Sequence, residues 1–167
     1  MTASPVCDWV PLMPHDGLRI VPYRPEHAAA FRDLNLDWIR KYFTVEARDE
    51  RDLGDPDTYI IAPGGYIFMA ELNDRLVGTC ALMREDEGVF ELAKMTVSEA
   101  VRGLGVGRAL GEATIAHARA IGARRVELYT NSSLAPAIAL YRSLGFVHVP
   151  VGQTDFVRAD VHMVLDL

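Results

Sequence analysis

The chain has 167 residues, half of them apolar, which suits a single domain with a substantial hydrophobic core. Its formal net charge of −6 argues against a general nucleic-acid surface and permits a cationic substrate. No run of residues approaches a membrane span, and we expect neither a membrane segment nor a signal peptide. The two cysteines, Cys7 and Cys80, are too few for a disulfide framework and favour a cytoplasmic location.

The predicted elements follow one another without obvious linkers. Residues 1–17 contain three prolines and little periodicity, and we expect a loosely held arm followed by one domain over 18–167. A strand is predicted over 18–23, and apolar residues at helical spacing predict a helix from Pro25 to Tyr42. The later elements are an acidic helix over 45–53, an extended piece over 59–62, strands over 66–72, 76–83 and 89–97, a helix over 106–121, a strand over 125–130, a helix over 134–144, and strands over 146–151 and 161–165.

This order of elements indicates a mixed α+β fold. Antiparallel hairpins come first and β-α-β crossovers follow. The right-handed crossover rule makes the strands that flank the long helix over 106–121 parallel neighbours if they pair. The strand over 161–165 would then close the sheet.

Three glycines at alternate positions follow the predicted strand over 89–97 and lead into the start of the helix over 106–121. They lie in the run Arg102-Gly103-Leu104-Gly105-Val106-Gly107. Glycine N–H groups can turn inward without a Cβ in the way, and the helix adds unpaired N–H groups and the positive end of its dipole. The run therefore predicts a phosphate or pyrophosphate site. It lacks the Gly-Lys-Ser/Thr of a Walker A loop, and Arg108 at the third-glycine position disfavours a nucleotide- or NAD-binding domain.

The pattern Arg-x-x-Gly-x-Gly in this run resembles the pyrophosphate loop of the GNAT superfamily of N-acetyltransferases, which use acetyl-CoA. A second segment, residues 131–146, is similar to another motif of that family, in which an asparagine ends a strand and a helix tyrosine precedes a Gly-Phe turn. The resemblance covers roughly residues 18–167, and its specific motifs lie between 89 and 146. Two motifs in the right order make chance agreement a poor explanation.

The resemblance implies a GNAT-like central mixed sheet, mostly antiparallel and flanked by helices, with a splayed parallel strand pair that forms the coenzyme A cleft. The amide-rich pantetheine arm would bind an opened strand edge as a pseudo-strand. The implied reaction moves an acetyl group from acetyl-CoA to a primary amine by direct attack in a ternary complex. The cofactor-binding residues implied are Met95, Thr96, Val97, Arg102, Gly103, Leu104, Gly105, Val106, Gly107, Arg108, Asn131 and Ala137.

Attack of an amine on a thioester develops charge on the carbonyl oxygen and on the departing sulfur. A backbone N–H near Met95 would stabilise the oxygen. Tyr141 resembles the family's tyrosine that faces the sulfur, where a phenol can donate to a thiolate; the alternative is a tyrosine that anchors its helix. Glu91 would take the amine proton through water if it faces the cleft. Its alternatives are a solvent-facing carboxylate or an ion pair with Lys94 or an arginine.

Other polar and aromatic residues have two interpretations each. One interpretation of Asn131 is that it positions the cofactor or the substrate, and the alternative is that it caps the next helix. The six carboxylates between residues 46 and 57 would attract a cationic amine under one interpretation, and under the other they form a solvated helix face. The helical spacing of Trp38 and Tyr42 favours the core, although with Phe43 they would also suit the wall of a substrate pocket.

Two functions of different classes are open at this point. The first is an active N-acetyltransferase, which Tyr141 favours, and the second is a non-catalytic acyl-CoA-binding or regulatory domain with the same fold. The expected partner is a small-molecule or peptide amine, and an exposed strand edge would allow a homodimer. We expect no metal, because the five histidines show no metal-ligand spacing.

Overall fold

The computed structural model describes residues 16–154 and 156–167, so the predicted arm, with Cys7, lies outside the described residues except for its last two positions. The strands are β1 (Leu18–Pro22), β2 (Tyr66–Leu72), β3 (Arg75–Asp86), β4 (Val89–Val97), β5 (Arg125–Thr130), β6 (Val147–Val149) and β7 (Val161–Asp166). The α-helices are α1 (Ala28–Tyr42), α2 (Ala47–Gly54), α3 (Val106–Ala120) and α4 (Ala135–Ser143).

The strands form one sheet in the order β1-β2-β3-β4-β5-β7-β6. Every neighbouring pair is antiparallel except β4 and β5, which are parallel and flank the crossover through α3. The predicted α+β class and its mostly antiparallel sheet are therefore confirmed. The last strand does complete the sheet, but from inside, because β7 lies between β5 and β6.

Helices cover both faces of the sheet and create two hydrophobic cores. On one face α3 and α4 pack against the sheet. Leu110 of α3 and Met163 of β7 are both fully buried in this core. On the other face α1 and α2 pack around Phe31 and Met69. The buried stripe of α1 consists of Phe31, Asn35 and Ile39, at the i, i+4, i+8 spacing of one helix face, so it includes one amide side chain. No helix within the described residues combines the length and apolar character needed to cross a membrane.

The extended piece predicted over 59–62 is wrong. Asp57–Ile61 forms a π-helical turn, which the Ala62 N–H closes by donating to Asp57 O at 2.8 Å. This turn buries Ile60 against the α1/α2 core, and a compact turn does so more effectively than an extended segment without a strand partner.

The strand predicted over 146–151 is too long, since only Val147–Val149 pair with β7. Phe146 is buried in the α3/α4 core instead of pairing in the ladder. Pro150 has no N–H to donate, so it ends the strand on the other side.

His117 is a partly buried titratable group whose environment makes the stability of the fold depend on pH. Its ring lies edge-on to Tyr66 and Phe68, with centroids 4.3 and 5.3 Å away. Its Nε2 atom is buried and has no hydrogen-bond partner among the described residues. Burial lowers the pKa of His117 below its ordinary value of 6.5. The unfolded chain therefore binds this proton more readily than the folded protein does, and stability falls as the pH drops below about 6.5.

We expect the free energy of unfolding to decrease between about pH 7.5 and about pH 5.5, in part through His117. His117→Phe keeps a ring against Tyr66 and Phe68 and should show a shallower pH dependence. Urea denaturation followed by circular dichroism at both pH values measures the difference. His148→Gln, at an exposed position on β6, is the control and should retain the wild-type slope. An identical slope in His117→Phe and wild type would show that this histidine has no such role.

Candidate active site

The parallel strands β4 and β5 pair at one end only. Residues 89–91 pair with 125–127, and beyond this point the strands diverge, although β4 continues to Val97 and β5 to Thr130. The gap leaves backbone groups of β4 without a partner on β5 and opens into a cleft of about 620 Å³. This is the splayed parallel pair that the resemblance implies.

A bulge in β4 lies at this gap. Two residues of β4, Lys94 and Met95, lie opposite the single residue Cys80 of β3. Lys94 has a φ of 51°, in the left-handed region that residues other than glycine rarely occupy. Because of the bulge, the Lys94 side chain reaches α2 on one face of the sheet, whereas Met95 packs against the α3/α4 core on the other.

Two buried polar side chains hold the bulge. The Thr79 hydroxyl donates to Lys94 O at 2.7 Å, and Asn35 Nδ2 donates to Thr79 Oγ1 at 3.0 Å. The Lys94 carbonyl therefore points towards Thr79 on β3. In a trans peptide the C=O and N–H groups point in opposite directions, so the Met95 N–H is directed away from β3, on the side of the gap.

The N-terminus of α3 faces the same cleft. Its N-cap residue, Gly105, and the preceding Gly103 both have a φ of 79°, a conformation that strains any residue with a Cβ. No side chain of the described residues caps this helix, so the N–H groups of its first turn are available to a ligand. The uncapped N–H groups, the glycine backbone and the helix dipole suit a phosphate or pyrophosphate.

The cleft contains all but one of the predicted cofactor-binding residues. The exception is Leu104, whose side chain is 38% exposed and lies outside the cleft lining. Its N–H is also engaged, donating to Val101 O at 3.4 Å. The part of the cleft on the α3/α4 face is therefore formed by the β4 edge, the glycine run and the start of α4.

Arg102 and Arg108 line the cleft, but protein partners hold both side chains. Arg102 Nη1 donates to the Tyr42 hydroxyl at 3.2 Å, and Arg108 Nη2 donates to Ser143 Oγ at 2.6 Å. Tyr42, which the helical spacing assigned to the core, is 42% exposed and contacts the rim of the cleft instead. Either arginine would have to change its hydrogen bonds to reach a bound phosphate.

Asn131 organises the turn after β5. Its Oδ1 accepts hydrogen bonds from Ser133 N at 2.9 Å and Ser133 Oγ at 2.6 Å, and its Nδ2 donates to Arg158 O at 2.7 Å. It does not cap α4, whose N-cap position is Leu134. Asn131 thus connects the start of α4 to the segment between β6 and β7, at the border of the cleft.

Tyr141 lies on α4 and lines the cleft. Its ring packs edge-on against Phe146, with the centroids 6.1 Å apart, and the side chain is nearly buried. Burial raises the pKa of the Tyr141 hydroxyl, which keeps it protonated at neutral pH. The hydroxyl has no hydrogen-bond partner within the described part of the chain, so it can donate to a ligand.

Glu91 lies at the point where β4 and β5 separate, on the sheet face covered by α1 and α2. It is buried, and its Oε2 accepts a hydrogen bond from Arg48 Nη2 at 3.0 Å. Glu91 thus combines two of the arrangements that the sequence left open, because it lines the cleft and forms an ion pair with an arginine. Loss of hydration and the nearby charge of Glu91 raise the pKa of Glu85 to about 7. Glu85 therefore exchanges a proton close to neutral pH beside Glu91.

Paired charges form the wall of the cleft on the α2 side. Asp49 is fully buried, unlike a carboxylate on a solvated helix face. It accepts two hydrogen bonds from Arg158, at 2.8 and 2.9 Å, and one from Lys94 at 3.2 Å. Burial acts to raise the pKa of Asp49, but the bonds from Arg158 and Glu46 N and the charge of Lys94 lower it overall. Burial lowers the pKa of Lys94 despite these carboxylate partners.

Phe156 lies at the centre of this cluster and lines the cleft. Arg48 Cζ, Lys94 Nζ and Arg158 Cζ lie 4.8, 4.9 and 4.5 Å from its ring centroid. These cation–π contacts, with the Arg158–Asp49 ion pair, hold residues 156–159, which precede β7 and are called the β6–β7 segment here, against α2. That segment therefore completes the second half of the cleft.

Among the cleft residues that sequence reasoning missed, four matter most for the chemistry: Asn35, Lys94, Phe156 and Arg158. Asn35 carried a signal, because it is the polar member of the stripe that α1 buries. The other three carried none, since nothing in the pattern around them indicates that the β6–β7 segment folds back over α2.

Comparisons with known proteins agree with this geometry. Residues 29–146 match the acetyltransferase (GNAT) family. The chain is 32% identical over 124 residues to N-acetylaspartate synthetase from Xenopus tropicalis, covering 73% of the chain and 46% of that relative. It is 33% identical over 102 residues to mycothiol acetyltransferase from Actinosynnema mirum, covering 61% of the chain and 32% of that relative. The chain thus spans less than half the length of both relatives.

Solved structures share the fold. An acetyltransferase of the GNAT family from Staphylococcus aureus Mu50 superposes with a TM-score of 0.82 at 20% identity, over 89% of this chain and 98% of that one. An acetyltransferase described from Salmonella typhimurium, solved with acetyl-CoA, gives a TM-score of 0.71 at 22% identity, over 90% and 94%. The family match covers more than half of the sequence, and the chain belongs to the acetyltransferase (GNAT) family.

Proposed function

We propose that this protein transfers an acetyl group from acetyl-CoA to a primary amine, with both substrates bound at once. The observation that carries the proposal is the gap between β4 and β5. It connects the uncapped start of α3 on one face of the sheet with the pocket of Asn35 and Glu91 on the other. A thioester held on the first face would meet an amine held on the second.

The α3/α4 half of the cleft would bind the cofactor. The N–H groups at the start of α3, with Gly103 and Gly105, would hold the pyrophosphate. The free edge of residues 95–97 would bind the pantetheine amides as a neighbouring strand does. Asn131 and Ala137 border this path. A relative of this fold has been solved with acetyl-CoA, which supports the choice of cofactor.

Acetyl-CoA would supply an acetyl group already activated as a thioester. The Met95 N–H would donate to the carbonyl oxygen as the C–N bond forms and negative charge develops there. Tyr141 would donate a hydrogen bond to the sulfur as the C–S bond breaks. A thiol has an ordinary pKa of about 8.5, well below that of a buried phenol. Tyr141 would therefore stabilise the thiolate by its hydrogen bond and keep its own proton.

Glu91 would accept the proton that the attacking amine loses, directly or through one water. The contact with Arg48 Nη2, at 3.0 Å, holds this carboxylate in place at the point where the strands separate. Glu85 lies next to it and exchanges a proton close to neutral pH, so it would pass that proton on towards solvent.

Removal of the Tyr141 hydroxyl should slow the reaction without weakening cofactor binding. We expect Tyr141→Phe to lower kcat by about tenfold to a hundredfold, because the thiolate loses its donor. Thiol release from acetyl-CoA with a panel of primary amines measures kcat, and titration calorimetry measures the affinity for CoA. Tyr66→Phe, which removes a hydroxyl away from the cleft, should behave as wild type. If the wild-type protein bound CoA but turned over no amine, a non-catalytic acyl-CoA-binding domain would be the better explanation.

A side chain at Gly105 should weaken CoA binding by about tenfold or more, because a Cβ strains this φ and crowds the phosphate path. The variant is Gly105→Ala, and titration calorimetry with CoA is the measurement. Gly122→Ala is the matched control, since Gly122 has a φ of 78° at the opposite end of α3 and a Cβ there meets no atom within 4 Å. Both variants carry the backbone strain, but only Gly105→Ala should lose affinity. Equal CoA affinities would remove the glycine run from the cofactor site.

A further inference from the structure

We propose that Asn35 Oδ1 accepts a hydrogen bond from the attacking amine, and that its pocket takes a primary amine carried on an uncharged, apolar body. This inference rests on the proposed function. It adds the residue that would hold the acceptor and the chemical class of that acceptor.

The orientation of the Asn35 amide follows from its neighbours. Asn35 Nδ2 donates to Phe31 O at 2.8 Å and to Thr79 Oγ1 at 3.0 Å. A carbonyl oxygen can only accept, and the Thr79 hydroxyl has already donated its proton to Lys94 O. Both sites therefore require the NH₂ group, and Oδ1 must point elsewhere.

Asn35 Oδ1 is thus the atom that this side chain leaves for a ligand. The residue is only 4% exposed and lines the cleft. Its oxygen has no hydrogen-bond partner among the described residues. It is not completely enclosed, so a ligand in the cleft can reach it. A nearly buried acceptor without a partner is costly unless something in the cleft donates to it. An amine N–H is such a donor.

The position of Asn35 suits the reaction. One hydrogen bond connects it to Thr79, and one more connects Thr79 to the carbonyl of the peptide that carries the Met95 N–H. An amine held by Asn35 would therefore lie on one side of this peptide, in the same cleft that its Met95 N–H faces from the other side. Glu91, the proposed proton acceptor, lines the same half of the cleft.

The charged side chains of this half are occupied by one another. Both Asp49 oxygens accept hydrogen bonds, from Arg158, Lys94 and Glu46 N. Arg158 Nη1 also contacts Glu46 and Thr44 O, at 3.1 and 3.3 Å. A carboxylate on the acceptor would have to displace one of these buried pairs and leave a charge uncompensated, which is costly.

The remaining surface is apolar and aromatic. Trp38 and Ile39 come from α1, Phe43 follows the end of that helix, and Phe156 comes from the β6–β7 segment. The Trp38 and Phe43 rings lie 5.7 Å apart between centroids and form a continuous wall. Such a wall would bind the body of an apolar amine by burial of its surface, whereas a strongly polar body would gain little there.

A matched set of acceptors tests the chemical class on the wild-type protein. 2-Phenylethylamine and L-phenylalanine differ only by a carboxylate, and L-aspartate is the acceptor suggested by the name of a relative. We expect kcat/KM for 2-phenylethylamine to exceed that for either amino acid by about tenfold or more, measured by thiol release. Equal or better use of L-phenylalanine or L-aspartate would overturn the proposed class.

Variants of Asn35 test the contact with the amine. Asn35→Leu, of similar size, should raise KM for 2-phenylethylamine by about tenfold and leave the affinity for CoA within about twofold. Thr114→Val is the control: it removes a buried hydroxyl on α3 that lies outside the cleft, so it should leave KM and kcat within about twofold of wild type. If it raised KM as much as Asn35→Leu does, the rise would reflect a general disturbance of the core and Asn35 would have a structural role only. Asn35→Gln keeps the amide but moves its oxygen by one methylene, so it should raise KM as Asn35→Leu does. Its KM decides the question if Asn35→Leu fails to fold.

The outcomes separate this inference from the proposed function. CoA binding without thiol release for any of the amines would refute acetyl transfer itself, and this inference with it. Turnover of amines with an unchanged KM in both Asn35 variants would refute only the role of Asn35.

Discussion

The hydrogen bond from the Thr79 hydroxyl to the Lys94 carbonyl is the interaction on which the site depends. It stabilises a left-handed residue inside a strand, a conformation that costs about 1 to 3 kcal/mol without compensation. The extra residue changes which side chains face each side of the sheet, so that Lys94 reaches α2 and Met95 reaches the α3/α4 core. It also turns one backbone N–H towards the gap between β4 and β5. A regular strand would present neither the donor nor this distribution of side chains.

The wall opposite the cofactor half depends on buried charge. Asp49 and Asp52 are fully buried and Lys94 nearly so, and each has partners of opposite sign. Such clusters contribute little net stability, because desolvation offsets most of the attraction. Removal of one member is nevertheless costly, since it leaves a charge without a partner. The cluster therefore holds α2, β4 and the β6–β7 segment in one arrangement. It leaves the pocket with aromatic surface and with Asn35 Oδ1, which has no partner in the described part of the chain.

The elements that sequence reasoning predicted correctly are those with strong local patterns. The strands of the first hairpins, α1 and α3 follow from periodicity, and the glycine run follows from backbone conformation. The errors at 59–62 and 146–151 have a common cause. In both places the burial of one side chain, Ile60 or Phe146, decided the local conformation, and burial depends on residues far away in the chain.

The sequence by itself determined the family, the order of the elements and the proposed cofactor half, because contiguous residues between 89 and 146 carry the motifs. Only the tertiary structure decided the other half. Asn35 meets Thr79 across 44 positions, and Arg158 meets Asp49 across 109. The orientation of the Asn35 amide and the neutralisation of Asp49 are consequences of those contacts. Hydrogen bonding and desolvation between distant residues leave no local pattern, so no reading of neighbouring residues could have revealed them.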